Sequence, residues 1–491
     1  MKKYILAIDQ GTTSSRAILF DHNGHPEYIA SRPVECEFPH SGWVEVDALA
    51  IWIGVIDIIN DVMVQANIGT ESIDSLGVTN QRETAVVWEK ATGRPISKAI
   101  VWQSRQSAEI CDRLMPKKEY IHQKTGLLIN PYFSASKIRF ILDNVPGAQA
   151  RAEAGELLFG TIDSWLIYRL TKGKVHATDV SNASRTMLFN INDMAWDKDL
   201  CDLFHVPMCM LPEVKSSSDD YGTASFFDPN LHIYGVAGDQ QAALFGQTCF
   251  DKGECKNTYG TGCFMLLNTG EKPTFSSKGL LTTVAWKMND KVTYALEGSV
   301  FVGGAAVQWM RDQVGLISTS AESEQKAYEC HDTHGVYFVP AFVGLGTPYW
   351  DDDARGALFG LTRNTNRNHI VRAVLEGIAY QCKDVFDTMI EDAKINLKCL
   401  KVDGGATANK YLMQFQSDII QKEILIPSCL ETTALGVAYL AGLKSGYYKS
   451  IDEIKSIHCY KANFKPGMSS EEVKRRYDGW KLAVKATRVF E

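Results

Sequence analysis

The chain has 491 residues, of which 45% are hydrophobic and 22% are charged, and its formal net charge is −7. Single hydrophobic cores stop growing at about 250–300 residues, so this length favours two domains. Apart from the short run Lys474-Arg475-Arg476, no block of Lys or Arg stands out that could neutralise a phosphate backbone, and we therefore expect no nucleic-acid partner.

Targeting and redox signals are equally sparse. The apolar run at the N-terminus is short and ends at Asp9, and no run reaches the apolar length of a membrane span. We therefore expect a cytoplasmic protein without membrane insertion. The sequence has twelve cysteines, none of them in a Cys-x-x-Cys pair, which predicts free thiols rather than disulfides or cysteine-bound metal.

The chain begins with a predicted β-hairpin. Residues 4–8 are mostly aliphatic, residues 17–20 are apolar, and residues 9–15 between them are polar, small or hydroxyl-bearing. This pattern is typical of two buried strands joined by a polar turn.

A helix is predicted next, with Asp47 as its N-cap. Apolar residues at helical spacing predict one buried face, which comprises Leu49, Trp52, Ile53, Ile56 and Ile59. Strands at residues 73–78 and 84–88 are expected to follow, with a turn at residues 90–93.

A similar hairpin pattern recurs near the middle of the chain. Residues 257–262 have the composition of a Gly/Thr turn, and residues 263–267 that of a strand. This echo suggests that the two halves share an architecture. We therefore predict an N-terminal domain over residues 1–250 and a C-terminal domain over residues 251–491.

A third glycine turn lies late in the chain. Residues 400–403 indicate a strand, residues 404–406 a glycine turn, and Tyr411 to Ile419 a helix. Strand, glycine turn and helix together are a common cradle for a phosphate or nucleoside. Strands that alternate with helices throughout favour the α/β class.

The glycine turns at residues 11–13, 260–262 and 404–405 are candidate phosphate-binding loops. Glycine lets backbone N–H groups approach an anion, and Thr or Ser hydroxyls add donors. For each turn alone an ordinary hairpin is the favoured interpretation, but the presence of three such turns shifts the balance, and two that face each other across a cleft would hold a nucleotide. The sequence lacks a Walker loop and a Gly-x-Gly-x-x-Gly after a strand, which weighs against P-loop, Rossmann and protein-kinase folds.

Two acids lie at predicted strand ends. Asp9 adjoins the first glycine turn, where it would either organise Mg²⁺ or bond to its own turn backbone. Asp239 lies between the apolar run 233–237 and a helical run. Spacing alone favours an N-cap role for Asp239, with a general base as the alternative.

Arg82 and Glu83 supply an adjacent donor and acceptor, as a vicinal diol requires. An exposed ion pair is the alternative. Trp102 and Phe264 would suit an apolar wall against a polyol, although the sequence alone favours core positions for both.

Together these segments resemble glycerol kinases, within the carbohydrate kinases named for their Phe-Gly-Gly-Tyr signature. The likeness extends from Ile5 to about Trp480 and is most specific at residues 9–16, 80–84, 238–247, 259–264 and 403–406. It implies two actin-like, ribonuclease-H-like ATPase domains flanking a central cleft, assembled as a homodimer or homotetramer. It also implies transfer of the γ-phosphoryl group of Mg-ATP to a terminal hydroxyl of glycerol, which gives glycerol 3-phosphate and ADP.

The resemblance assigns roles to individual residues. Asp239 would be the general base, in place of the N-cap that spacing favours, and Asp9 would organise Mg²⁺. The glycerol site would comprise Arg82, Glu83, Trp102, Tyr132, Asp239, Gln240 and Phe264. The ATP site would comprise Thr12, Thr13, Ser14, Arg16, Thr261, Gly304, Gln308, Gly405 and Asn409.

Two other functions stay open at this point. A kinase of a ketopentose or of gluconate would share the fold, although the Arg82–Glu83 pair favours glycerol. An actin-like ATPase of a filament or chaperone would share the glycine turns without needing a diol-binding set. Dependence of ATP turnover on an added alcohol distinguishes the three.

Overall fold

The computed structural model describes residues 3–490, which form an α/β protein built on two large mixed sheets. The α-helices are Ala48–Ala66, Ala108–Leu114, Lys118–Thr125, Ser134–Asn144, Ala148–Glu153, Ile162–Leu170, Val180–Ala183, Lys198–Leu203, Asp239–Gly246, Gly304–Asp312, Glu322–Tyr328, Arg367–Ala393, Lys410–Ile420, Thr432–Ser445, Ile451–Ile457 and Ser470–Thr487. Turns of 3₁₀-helix lie at Thr70–Ser72, Met115–Lys117, Met208–Met210 and Gly405–Ala408.

The first large sheet has five strands, in the order Ile233–Gly238, Ile73–Asn80, Tyr4–Gln10, Ser14–Phe20 and Pro26–Pro33. Tyr4–Gln10 pairs antiparallel with Ser14–Phe20, so the predicted N-terminal hairpin is confirmed. On its other side the central strand pairs parallel with Ile73–Asn80, which pairs parallel with Ile233–Gly238. The ends of these parallel strands deliver the Gly11 turn, Arg82 and Asp239 to one edge of the sheet.

The second large sheet has seven strands, in the order Leu281–Met288, Lys291–Val300, Cys263–Gly270, Cys255–Tyr259, Cys399–Asp403, Glu423–Pro427 and Tyr460–Phe464. Its inner strands repeat the first sheet. A hairpin, Cys255–Tyr259 with Cys263–Gly270, is followed on the side of its first strand by two parallel strands. The predicted echo between the halves is therefore confirmed at the level of sheet topology.

The remaining strands form smaller sheets of two or three strands. Their strands are Cys36–Glu37, Glu45–Val46, Val86–Glu89, Ala99–Ile100, Leu157–Gly160, Ala177–Asp179, Phe189–Asn190, Ala195–Trp196, Glu213–Lys215, Tyr337–Val339 and Ala357–Phe359. All twelve cysteines are free, as predicted.

The helix Ala48–Ala66 begins as expected, because the side chain of Asp47 accepts hydrogen bonds from the backbone N–H groups of Leu49 and Ala50. Its predicted apolar face was partly wrong. Leu49 and Ile53 are exposed, and the helix packs on the strands Ser14–Phe20 and Pro26–Pro33 through a face rotated from the predicted one. That face comprises Ala48, Ile51, Trp52, Val55, Ile58, Ile59 and Val62.

The same helix corrects a second expectation. By length and composition it is apolar enough to cross a membrane, with a mean hydropathy of 1.6 over its most apolar 18-residue window, so the statement that no run reaches that length was wrong. A core helix of a water-soluble protein meets the same criterion. In the part of the chain that the structure describes, Ala48–Ala66 is the one helix that does so.

One late helix, Thr432–Ser445, packs against the first sheet and against the helix Asp239–Gly246. The approach is close: a Cβ atom on Gly77 or Gly235 would lie 2.5 or 2.4 Å from the carbonyl oxygen of Val437. Along the chain, the last strand of the first sheet ends at Gly238 and the first strand of the second sheet begins at Cys255. On that basis we propose a domain boundary near residue 250. The helix Thr432–Ser445 follows this boundary in the chain but packs against the sheet of the N-terminal domain.

Candidate functional site

Two cavities adjoin between the large sheets, and Thr261 lines both. The smaller has a volume of about 240 Å³ and the larger about 620 Å³. Thr261 lies in the turn between the strands Cys255–Tyr259 and Cys263–Gly270. A ligand in one cavity would therefore reach a ligand in the other at this turn.

The smaller cavity brings together all seven residues predicted for a glycerol site. Its lining comprises Thr12, Thr13, Arg82, Glu83, Trp102, Gln103, Tyr132, Asp239, Gln240, Thr261, Gly262, Phe264 and Phe301. Charged and aromatic side chains thus meet in a space of small-molecule size.

Arg82 follows the strand Ile73–Asn80, and its side chain is buried. Its Nε lies 3.0 Å from Oδ1 of Asp239, at the cavity side. Its Nη1 and Nη2 donate to the two carboxylate oxygens of Glu297, at 2.5 and 2.9 Å. Burial opposes the charge on Arg82, but Glu297 and Glu83 outweigh it and hold the pKa of Arg82 well above its usual value.

Glu83 has a left-handed backbone, with φ of 62°, which is uncommon for a residue with a side chain. Its carbonyl oxygen accepts a hydrogen bond from the hydroxyl of Ser134 at 3.0 Å, and Oε1 accepts one from Nε of Arg185 at 2.7 Å. The surrounding contacts thus hold a backbone conformation that costs free energy, a feature that concentrates at ligand-binding sites.

Aromatic rings form one wall of the smaller cavity. The ring centroids of Trp102 lie 5.5 Å from Tyr132 and 6.2 Å from Phe264, both edge-on. Nε1 of Trp102 donates to Oγ1 of Thr12 at 2.8 Å, which ties the wall to the first glycine turn. Trp102 is only partly buried, so the core position that its sequence alone favoured was wrong.

Asp239 is the first residue of the helix Asp239–Gly246, and the N-cap is Gly238. The N-cap role favoured by spacing was therefore wrong by one residue. Oδ1 of Asp239 accepts from the backbone N–H of Gln240 at 2.7 Å, and its carboxylate stays 28% exposed in the cavity. Next to it, Oε1 of Gln240 accepts from the buried Nζ of Lys256 at 2.6 Å, which fixes the orientation of the amide.

The larger cavity has a different character. Glycine, alanine, aliphatic and amide side chains dominate, and Glu324 is the single charged residue in the described lining. Five of the residues predicted for ATP are present: Thr261, Gly304, Gln308, Gly405 and Asn409. Asn409 also caps the helix Lys410–Ile420 by accepting from the backbone N–H of Leu412 at 2.9 Å.

The other residues predicted for ATP and metal are placed differently. Thr12 and Thr13 line the smaller cavity, whereas Asp9, Ser14 and Arg16 line neither. Arg16 lies on the strand Ser14–Phe20, and its Nη1 pairs with Glu431 of the second half at 2.7 Å.

Asp9 has the chemistry of a cation ligand. Its carboxylate has no hydrogen-bond or ion-pair partner among residues 3–490. Desolvation raises its pKa to about 7; Arg16 opposes the shift, while the charges of Asp239 and Glu431 add to it. A carboxylate that is unpartnered and costly to ionise fits a divalent cation, which would remove that cost.

Sequence reasoning missed the charged residues behind the smaller cavity. Glu297 and Arg185 are fully buried and contact Arg82 or Glu83. The available signal was Glu297 itself, a charge within the otherwise apolar or small-residue run 295–300. A charged residue in a strand with both faces buried must be paired, and so marks a polar site.

A small polar cavity thus meets a large, mostly uncharged one at the turn that carries Thr261. This arrangement can hold two ligands side by side. Residues 4–246 match the N-terminal domain, and residues 255–445 the C-terminal domain, of the FGGY family of carbohydrate kinases. The chain belongs to this family.

Individual proteins that are similar to this chain are kinases. The chain is 58% identical to a glycerol kinase of Oceanobacillus iheyensis, over 100% of this chain and 99% of that protein. The crystal structure of Plasmodium falciparum glycerol kinase with ADP superposes with a TM-score of 0.93 at 39% identity, covering 100% and 99% of the two chains. A xylulose kinase of Lactobacillus acidophilus shares the fold, with a TM-score of 0.87 at 21% identity over 99% and 97%. The expected fold of two actin-like, ribonuclease-H-like ATPase domains is thereby confirmed.

Proposed function

We propose that this chain is an ATP-dependent kinase that transfers the γ-phosphoryl group of Mg-ATP to a terminal hydroxyl of glycerol, giving glycerol 3-phosphate and ADP. The observation that carries the proposal is the junction of the two cavities at Thr261, with Asp239 in the smaller one. High identity to glycerol kinases over the full chain supports glycerol rather than a sugar as the acceptor.

In the smaller cavity, Arg82 would donate to the glycerol hydroxyls and Glu83 would accept from them. Tyr132 and Gln240 complete the polar set, and Trp102 and Phe264 would pack on the carbon edge. Burial in this low-dielectric site strengthens each contact.

Asp239 would act as the general base. The terminal hydroxyl oxygen attacks the γ-phosphorus, the bond from that phosphorus to the β,γ-bridging oxygen breaks, and ADP leaves. The hydroxyl proton passes to the carboxylate of Asp239, which is exposed to the cavity. Phosphoryl transfer needs positioning and charge stabilisation more than covalent help, which agrees with a site built from fixed charges.

In the larger cavity, Gly304, Gln308, Gly405 and Asn409 would contact the nucleotide. The phosphates would extend toward Thr261, where the turns that carry Thr12 and Thr13 and Thr261 approach from opposite halves. Their backbone N–H and hydroxyl groups suit an anion. Arg16 would join this set only on rearrangement, since its Nη1 pairs with Glu431. Ser14, which lines neither cavity, would also have to move.

Asp9 would hold Mg²⁺, which when bound supplies positive charge at the phosphate oxygens. Asp9→Asn should raise the Mg²⁺ concentration needed for half-maximal rate and leave the glycerol KM unchanged. A Mg²⁺ titration at saturating ATP and glycerol tests this, and an unchanged Mg²⁺ requirement would remove Asp9 from the metal site.

The direct test of the function is ADP release from Mg-ATP with glycerol, and then with ketopentoses and gluconate. We expect strong release with glycerol alone. Release only with a sugar would reject the diol role of Arg82 and Glu83, and release without any alcohol would favour an actin-like ATPase.

Assembly and location are finer proposals that rest on the family resemblance. We expect a homodimer or homotetramer in the cytoplasm. Multi-angle light scattering of the purified chain measures the first, and a monomer at micromolar concentration would contradict it.

A further inference from the structure

A closed ring of buried charges lies behind the smaller cavity. We call Arg82, Glu83, Arg185 and Glu297 the charge ring; each is at most 3% exposed. Glu297 bridges the two guanidinium groups, because Oε1 accepts from Nη2 of Arg82 at 2.9 Å and from Nη2 of Arg185 at 3.0 Å. Arg185 closes the ring through its Nε, which donates to Oε1 of Glu83 at 2.7 Å.

The contact between Glu297 and Arg82 is a bidentate ion pair, which we call the fork. Both terminal nitrogens of Arg82 bond to Glu297, which fixes the plane of the guanidinium group. Nη1 also donates to Gln241 at 3.2 Å, and Nη2 to the hydroxyl of Tyr132 at 3.4 Å. The Nε edge is thereby turned toward the cavity and Asp239.

The stem of Arg82 is equally confined. A Cβ atom on Gly238 would lie 2.7 Å from both Cγ and Cδ of Arg82, so the side chain passes directly over a glycine that leaves it room. Arg185 is held in turn by stacking over the ring of Phe133, at 5.2 Å from its centroid. These contacts restrict the conformations open to Arg82 and Arg185.

The two ends of the fork come from different halves of the chain. Arg82 follows a strand of the first sheet, whereas Glu297 lies on Lys291–Val300 of the second. The second half of the chain, through Glu297, thus sets the orientation of Arg82 in the first half.

We propose that Glu297 is a positioning residue for the acceptor, acting through Arg82, with Arg185 as its counter-charge. This rests on the proposed function. Glu297 is absent from the described cavity lining, so its effect on glycerol is indirect. Two guanidinium groups keep it ionised against the cost of burial, with a pKa of about 2.

Loss of the fork has a specific chemical consequence. The carboxylates that remain near Nε of Arg82 are Asp239 at 3.0 Å and Glu83 at 3.8 Å. Without Glu297, the guanidinium group of Arg82 turns to pair with Asp239. This pairing occupies both the donor for the diol and the general base. Glycerol binding weakens and kcat falls, while the larger cavity is untouched.

The test compares Glu297→Gln with Glu376→Gln. Glu376 is a matched control, since it is also buried and paired with two arginines, Arg372 at 3.0 Å and Arg476 at 3.5 Å, but lines neither cavity. Glu297→Gln should raise the glycerol KM about tenfold or more and keep the ATP KM within about threefold, whereas the control keeps the glycerol KM within about twofold. Calorimetric titration of glycerol without nucleotide should show the same loss of affinity.

A second variant covers the case in which Glu297→Gln does not fold. Arg185→Met combined with Glu297→Gln removes one charge of each sign and leaves the net charge of the charge ring at zero. The double variant should fold and still bind glycerol about tenfold or more weakly. Equal glycerol KM in Glu297→Gln and the control, or wild-type glycerol affinity in the double variant, overturns the proposal. Wild-type enzyme that fails to release ADP with glycerol would instead reject the proposed function.

Discussion

The two cavities that meet at Thr261 differ in the charge and size of the side chains that line them. The smaller is specified by buried charges, with Arg82, Glu83 and Asp239 at its surface and Arg185 and Glu297 behind them. The larger is specified by shape, since glycines, alanines and amides line it and charge is nearly absent. A polyol has only hydroxyls to recognise, so its site must fix donors and acceptors, whereas a purine offers a large flat surface that packing can hold.

This difference predicts different sensitivities. Changes of charge or of charge position should damage acceptor binding and catalysis, because unpaired buried charges are costly. Changes of volume should damage nucleotide binding by smaller amounts. Four substitutions test this contrast, from the largest expected effect to the smallest.

Asp239→Asn should reduce kcat by about 10²–10⁴-fold, because an amide cannot accept the hydroxyl proton. The fold should persist, since Asn retains an oxygen for the backbone N–H of Gln240. Steady-state ADP release, with a thermal melt as control, measures both. Activity near that of the wild type would mean that another group takes the proton.

Gly238→Ala should lower kcat/KM for glycerol by about 100-fold, because the added methyl displaces the stem of Arg82 and misplaces the diol donor. The ATP KM should change little. If both KM values rise together, the methyl has disturbed the helix Asp239–Gly246 rather than Arg82.

Gly405→Ala is the counterpart in the larger cavity. No atom lies within 4 Å of the added Cβ, so the variant should fold normally while its methyl group narrows the cavity. We expect the ATP KM to rise about tenfold and the glycerol KM to stay constant. An unchanged ATP KM would place the nucleotide away from Gly405.

Trp102→Phe should have the smallest effect. It removes the 2.8 Å hydrogen bond to Thr12 and keeps an aromatic wall, at a cost of about 1 kcal/mol, or roughly fivefold in kcat/KM. Because this contact joins the wall to the first glycine turn, both substrates should respond. An effect confined to glycerol would show that the hydrogen bond does not restrain the turn.

The sequence was informative where chemistry depends on residue identity and local order. The hairpin with Asp9, the glycine turns and the Arg82–Glu83 pair stand in continuous motifs, so they could be recognised directly. The charge ring could not, because Arg185 and Glu297 are separated by more than a hundred residues and meet only when the sheets pack. The N-cap at Gly238 was missed for a local reason: Asp is a common N-cap, but here Asp239 is already the first helical residue and its side chain lines the cavity.

The apolar face of Ala48–Ala66 shows another limit. Fourteen of the nineteen residues of this helix are apolar, so hydrophobic periodicity alone did not identify the face that the sheet covers. Arg16 illustrates a third: its partner Glu431 lies in the other half of the chain, and no local pattern announces such a pair.

The helix Thr432–Ser445 has a consequence for how the chain is made. Gly77 and Gly235 have no side chain to obstruct this late helix, which packs closely on the first sheet at both positions. During synthesis, all five strands of that sheet leave the ribosome long before residue 445 does. The nascent N-terminal half therefore exposes an apolar surface until this helix is synthesised. A chain truncated before Thr432 would keep that surface exposed and would bind chaperones persistently.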